Sequence, residues 1–502
     1  MPATLFSGEP ANPNFYLIEH WYPQMGVFED EGWLYPRARA VNRYQHDFGT
    51  YDVRITLPKR FQVAATGERQ QVIRTDSTQT WVFHADPVND FAWAADTHFR
   101  FFEEKWQSLS LRLFLQPQHV HQKERLLVIL KAALKYYREK VGAYPYPVLT
   151  LVDARAGTTE HQIPTLMVLR LPYWLPEGIR TLEAAVVRQL GQQYWHAVVA
   201  ANEAEEPWLE GGFTRYFQMR ILDDFFAPEA GLADYMGFHI SGLAYQKAGY
   251  WLAEKRASAV WPGWHNRGLS NERARPSRRA AMLLATLENI LGQELWQQIL
   301  RTYFERWKFN HPTTRDFIEI VNKISARDWS EFFDQALYST RTMDYAVTGL
   351  QTRRAPVPGQ ASSRVLRIKA SAPVEVEAQT PSRPIVILPD SGELNARTTF
   401  YRTDLQVQRL GEFIFPAEMM IRFADGYEQH LRWKGKAARK NITLYYPAPA
   451  QHAVLDPDHK NLLDINVLNN SRTVSPQWGD KNFLFRCLFW IQNTLQLVTS
   501  LN

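Results

Sequence analysis

The chain has one cysteine, Cys487, in 502 residues. A disulfide within the chain and a thiolate zinc cluster are both excluded. The opening residues, MPATLFSGEPANPN, hold neither a basic start nor an apolar run, so no secretory leader is expected. The one long apolar stretch, FLFRCLFWIQNTLQLVTSL (483–501), is interrupted by Arg486, Gln492, Asn493 and Gln496 and falls short of a membrane span. No block of Lys or Arg stands out, and a net charge of +5 is small for this length, so nucleic acid is not an expected partner. Internal repeats and low-complexity runs are also lacking. A cytoplasmic or membrane-peripheral protein is the expectation these absences leave.

What remains is a globular composition, with 45% hydrophobic and 22% charged residues. The length exceeds what one core can organise, so several domains are expected. Residues 15–105 read mostly as strands: YDVRITLP (51–58) alternates, and VAATGE (63–68), TWVFHA (80–85) and FAWAADTHFRFFE (91–103) continue the pattern. Apolar spacing then predicts helices over 123–142, 181–200, 207–226, 228–253, 278–291, 293–307, 313–323 and 328–338, with PYPVLTLVDA (145–154) as a strand between the first two. Thr313 and Asp316 supply a cap for one of these helices. Short strands return at 365–370, 374–378, 384–388, 403–410, 419–423 and 441–446, spaced as in a β-sandwich. APVPGQASS (355–363) reads as a hairpin loop.

The predicted fold is therefore α+β and multidomain. It comprises a partial N-terminal β-domain (1–105), a mainly helical central domain (106–341), a C-terminal β-sandwich (342–460) and a tail (461–502). The tail carries an amphipathic helix with Leu484, Leu488, Ile491, Leu495 and Val498 on one stripe. That stripe suits docking onto its own chain, or peripheral contact with a membrane surface.

One stretch, VVRQLGQQYWHAVVAANEAEEPWLEGGF (186–213), has the layout of a helix-borne zinc site without its ligands. In an H-E-x-x-H helix, two His four residues apart share a face and hold the ion, and the Glu is the general base for the bound water. Laid on this frame, the His positions fall on Arg188 and Gln192, the base on Gln189, and a third ligand, on the next helix, on Gly211.

Trp208-Leu209-Glu210-Gly211-Gly212-Phe213 resembles the third-ligand motif W-L-N-E-G-F of the aminopeptidase N family of zinc metallopeptidases, the gluzincin group. WYPQMGVFEDEGW (21–33), FGTYDVRITLPKRFQVAATGE (48–68), DFAWAAD (90–96) and AVLDPD (453–458) extend the resemblance over about residues 15–470. It implies a thermolysin-like central domain, one zinc ion and removal of N-terminal residues from peptides. Gly157-Thr158-Thr159-Glu160-His161 matches the family's G-x-M-E-N, so Glu160 is placed where a Glu holds the substrate's amino group. Ser277 falls where the family has an oxyanion-stabilising Tyr. The family's β-domain begins well before its W-Y-P-like segment, here Trp21-Tyr22-Pro23. A shortened β-domain is implied, with edges for another chain or a second copy to cover.

The residue types decide against the family chemistry. Arg188 has no acceptor, Gln192 is a feeble zinc partner, Gly211 has no side chain, and Gln189 cannot act as a base. Glu210 stands one position from the ligand slot, a rotation of about 100° on a helix. No cofactor and no intact catalytic set are expected. The expected role is an inactive, aminopeptidase-like binding or scaffold module, with Glu160 as the residue for peptide N-termini. The alternatives are a zinc aminopeptidase with non-standard ligands, for which His196 and His161 are the substitutes to weigh, and a structural subunit of a complex. Arg188 is expected to fill the vacated hole, its charge paired with Glu160 or Glu210. His119 and His121 read as a solvated loop pair.

Overall fold

The computed structural model describes residues 14–24, 26–29, 32–33, 46–155, 162–203, 205–252, 274–356, 364–367, 374–376, 384–388 and 399–474. Glu160, His161 and the apolar tail lie outside them, as does most of the 355–363 loop. The chain divides into two compact units. The larger runs up to Phe333, less Trp251–Arg256, and the smaller takes that segment and continues from Asp334 onward.

The larger unit begins with two three-stranded antiparallel sheets. One is ordered Phe15–Ile18, Trp93–Asp96, Gln62–Ala65, and the other Gly49–Pro58, Thr78–Val88, Glu68–Arg74. FAWAADTHFRFFE is thus two strands in different sheets, Trp93–Asp96 and Arg100–Trp106, broken by the turn at Thr97 and His98. A five-stranded sheet follows, ordered Gln162–Ile163, Leu166–Leu169, Val148–Asp153, Leu109–Leu115, Arg100–Trp106. Its three middle strands run parallel. Every residue of Val148–Asp153 is buried, as expected of a parallel strand covered on both faces.

Eight helices are described: α1 (Lys123–Lys140), α2 (Thr181–Trp195), α3 (Pro207–Phe225), α4 (Gly242–Leu252), α5 (Ala274–Leu291), α6 (Gln293–Trp307), α7 (Thr314–Ser325) and α8 (Ser330–Leu337). The helix expected over 228–253 is not continuous. Ala233–Tyr235 and Phe238–Ile240 form an antiparallel hairpin, turning at Met236 (φ 51°) and Gly237 (φ 80°), and only then does α4 begin. The left-handed turn stops a helix at this point. The cap on α7 is present as a full capping box. The Thr313 backbone N donates to Asp316 Oδ2 at 2.8 Å, and the Thr313 hydroxyl accepts from the Asp316 backbone.

α2 is buried nearly all round, with Val186, Val187, Leu190 and Tyr194 at zero exposure. Such a helix belongs inside a helical layer. Its Gly191 lets α3 approach, since a Cβ there would stand 3.1 Å from Thr214 Cγ2. An aromatic core joins the helices: Trp195 stacks on Phe213 at 4.5 Å, Phe213 meets Phe317 edge-on at 5.3 Å, and Trp208 Nε1 donates to Thr314 Oγ1 at 2.7 Å.

The smaller unit is mainly strand among its described residues. One five-stranded sheet is ordered Tyr345–Arg354, Tyr401–Arg409, Arg439–Tyr446, Ile385–Leu388, Arg364–Arg367. The other is ordered Val374–Val376, Glu428–Trp433, Ala417–Phe423, Ala450–Leu455, Ser471–Thr473. Tyr345 of the first and Trp433 of the second meet edge-on at 5.6 Å. Together the two units make a mixed α/β chain with several sheets. No described helix is long and apolar enough to cross a membrane.

Candidate functional site

Four helices, α2 to α5, bring the residues of the 186–213 frame together with partners the frame did not include. Arg188, Gln189 and Gln192 stand on the second half of α2. Glu210 and Gly211 stand in the first turn of α3, which opens with Pro207 where its missing N–H costs nothing. Ser277 stands on α5 and is buried.

The position that the frame assigns to a third ligand, Gly211, is closed. A Cβ added to Gly211 would lie 2.9 Å from Ser277 Cβ and closer still to its Oγ. One residue on, a Cβ at Gly212 would meet Ala280 Cβ at 2.6 Å. The α3–α5 crossing is thus built on small residues, and a Glu side chain at 211 has no room without displacing α5.

The base position is equally unsuited. Gln189 is fully buried, and neither its Oε1 nor its Nε2 meets a protein partner among the described residues. Gln192 Oε1 is in the same state. The neighbouring Gln193, by contrast, is satisfied. Its Oε1 accepts from Thr165 N at 2.7 Å and its Nε2 donates to Ile163 O at 2.8 Å. That bond ties α2 to the edge of the central sheet, two residues after His161.

Guanidinium groups gather at this helix crossing. Burial lowers the affinity of Arg188 for its proton, and the charge of Glu210 and then Tyr245 offset this. Arg215, one turn beyond Gly211, is pushed down to about 10 by burial and by the like charges of Arg278 and Arg188, with Glu210 pulling the other way. Arg278 lies over the Tyr245 ring at 5.3 Å, and its Nε is buried without a protein partner among the described residues. It passes so close to Gly249 that no Cβ would fit there. Glu210 is buried and accepts from Thr214 Oγ1 at 3.3 Å. Arg215 thus feels two like charges, Arg278 and Arg188, and the opposing charge of Glu210.

Zinc does not fit this donor set. Guanidinium nitrogens carry no free lone pair, position 211 offers no atom, and Ser277 fills the space a longer side chain would need. Among the described residues, no three His, Cys, Asp or Glu side chains come together as a metal group. His196 caps the end of α2, and its Nδ1 lies 2.8 Å from Glu203 Oε1 in an ion-pair contact.

His119 corrects the solvated-loop reading. It sits in the 3₁₀ turn Pro117–Gln122, is 8% exposed, and its Nδ1 lies 2.7 Å from Asp153 Oδ2. Only His121 faces solvent. The frame also missed Arg215, Tyr245 and Arg278. For Arg215 a signal existed: it is four residues after Gly211, hence on the same face of α3. Tyr245 and Arg278 come from other helices, and nothing local marks them.

Scans of this chain against protein-family models and against curated proteins return no match. Its fold, however, is similar to that of a solved structure, aminopeptidase A of Legionella pneumophila in complex with aspartic acid. The TM-score is 0.58 at 13% identity, over 88% of this chain and 48% of that one. The chain therefore spans about half the length of that aminopeptidase, and what the two share is an aminopeptidase-like fold.

Proposed function

We propose that this chain is a non-hydrolytic, aminopeptidase-like binding module, a degenerate relative of the aminopeptidase N family. In this reading the central helices are a thermolysin-like domain, flanked by an N-terminal β-domain and a β-sandwich. The observation that carries it is the packing of Ser277 against Gly211, which leaves the third-ligand position without atom or space. Arg188 at a His position adds a charge that repels a cation. With no donor set here to hold a metal that activates water, and with Gln189 at the base position, these residues offer hydrolysis no agent.

The ligand this reading favours is a peptide terminus. Glu160 is proposed to hold a free amino group, as its match to the family motif implies. Arg188 and Arg215, held near Glu210, and Arg278 beside them suit an acidic group on the same ligand. Since the structural neighbour was crystallised with aspartic acid, peptides with an N-terminal acidic residue are the first to try. A protein partner, and membrane contact through the tail, belong to the same proposal.

The deciding measurement is zinc per chain, by elemental mass spectrometry on protein purified without chelators or a His tag. It is paired with turnover of aminoacyl fluorogenic substrates. We expect far less than one atom per chain and no chelator-sensitive turnover. Near-stoichiometric zinc with turnover would overturn the proposal in favour of a zinc aminopeptidase with non-standard ligands.

A further inference from the structure

The three parallel strands of the central sheet, Leu109–Leu115, Val148–Asp153 and Leu166–Leu169, end side by side at a cavity of ≈ 650 Å³. Its wall is made by the residues that follow each strand: Gln116 to His119, Ala154 with Arg155, and Arg170 with Leu171. Ligands of open α/β sheets gather outside the carboxyl ends of parallel strands, where loops splay apart. The volume is in the range of small-molecule sites.

The lining is cationic and the acids lie behind it. Asp96 and Asp153 have zero exposure. Asp96 is occupied by Arg155 Nε at 2.9 Å and Gln116 Nε2 at 3.0 Å. Asp153 Oδ2 accepts from Gln116 N at 2.9 Å and engages His119 Nδ1 at 2.7 Å. These buried carboxylates fix Arg155 and His119 in place from the rear. With its Nδ1 held, His119 keeps only Nε2 for the cavity. Arg170 is exposed on the rim and meets no partner among the described residues. Arg155 and His119 are thus answered from behind by Asp96 and Asp153, and among the described residues the Arg170 guanidinium on the rim is left without a carboxylate partner.

We propose that this cavity binds a small ligand through an oxyanion, a phosphoryl or carboxylate group, at residues separate from the α2–α5 arginine cluster. Arg155, anchored from the rear by Asp96, is already oriented, so little ordering is needed when the anion arrives. Arg170 supplies a bidentate fork for the same group.

The test is calorimetric titration of the full chain with inorganic phosphate and, separately, with succinate. Saturable binding of either is expected, weakened on the order of tenfold by Arg170→Ala and restored in part by Arg170→Lys. Preference between the two probes tells a phosphoryl site from a carboxylate site. Thermal melting of Arg170→Ala should match the parent, because the side chain is exposed and unbonded. Arg155 is left intact, since its loss would strand buried Asp96. Absence of saturable binding at millimolar probe overturns the proposal. So does binding that survives Arg170→Ala and is lost in Arg215→Ala, which would put the anion in the arginine cluster.

Discussion

Ser277 and Gly211 occupy adjoining space across two helices so closely that a side chain at 211 would stand 2.9 Å from Ser277 Cβ. The relationship is reciprocal: serine on α5 is tolerated because glycine faces it, and glycine on α3 is required because serine is there. Gly211→Ala should overpack this crossing and cost about 1–3 kcal/mol. The double variant Gly211→Ala with Ser277→Gly should recover most of the loss. Urea denaturation of the four proteins in the cycle measures the coupling. Simple additivity would mean that α5 does not press on position 211.

Glu210 is the carboxylate that offsets Arg188 and Arg215. Glu210→Gln keeps the shape and removes the charge. It should destabilise the chain on the order of 2 kcal/mol by leaving the guanidinium groups to repel one another. Arg215→Met in the same background should return part of that. Equal midpoints for the parent and Glu210→Gln would show that solvent already screens the cluster.

Glu206, at the start of α3, has its carboxyl pushed up to about 7 by burial, although Thr314 N donates to it at 2.7 Å. The folded chain therefore holds this proton more tightly than the unfolded chain does. Stability from this group is complete below the ordinary Glu range and is lost as pH rises through about 7. Across that window the loss should be on the order of 2 kcal/mol. Glu206→Gln should flatten the dependence and raise the melting temperature above pH 7, with no gain at pH 5. Parallel melting curves for the two proteins across this range would argue that Glu206 is solvated.

The capping box at Thr313 gives a local check on α7. Thr313→Ala removes the acceptor for the Asp316 backbone and should cost about 1 kcal/mol. Amide exchange in the first turn of α7 should quicken with little change elsewhere. Unaltered exchange at Asp316 would mean that the Trp208–Thr314 bond alone holds this end.

Much of the site's scaffold was legible because the motif's flanks are core. Trp208 and Phe213 have zero exposure. They pack against Phe317 and Trp195, so their spacing reflects helix packing rather than chemistry. The helix pair itself followed from periodicity, and α7 from its cap. The hairpin at 233–240 was hidden because alternating and helical spacings overlap over three-residue strands, and only the Met236-Gly237 turn separates them. His119 was misread because its partner, Asp153, lies 34 residues away on a strand end. Arg278 and Tyr245 reach Arg215 from other helices, through tertiary packing that no local spacing encodes.

Thr165 is a β-branched residue at φ 60°, an unfavourable backbone state that its surroundings must hold. Its hydroxyl accepts from Gly67 N at 2.7 Å, and its own N–H is taken by Gln193 of α2. Three segments distant in sequence thus meet at one strained turn, which works as a latch between the N-terminal strands, the edge of the central sheet and the helix that bears Arg188. Rotation of α2 cannot leave that edge undisturbed. A ligand that moves the helix should loosen or tighten the Gly67 and Thr165 amides in step, a signal that solvent exchange can follow without knowing what was bound.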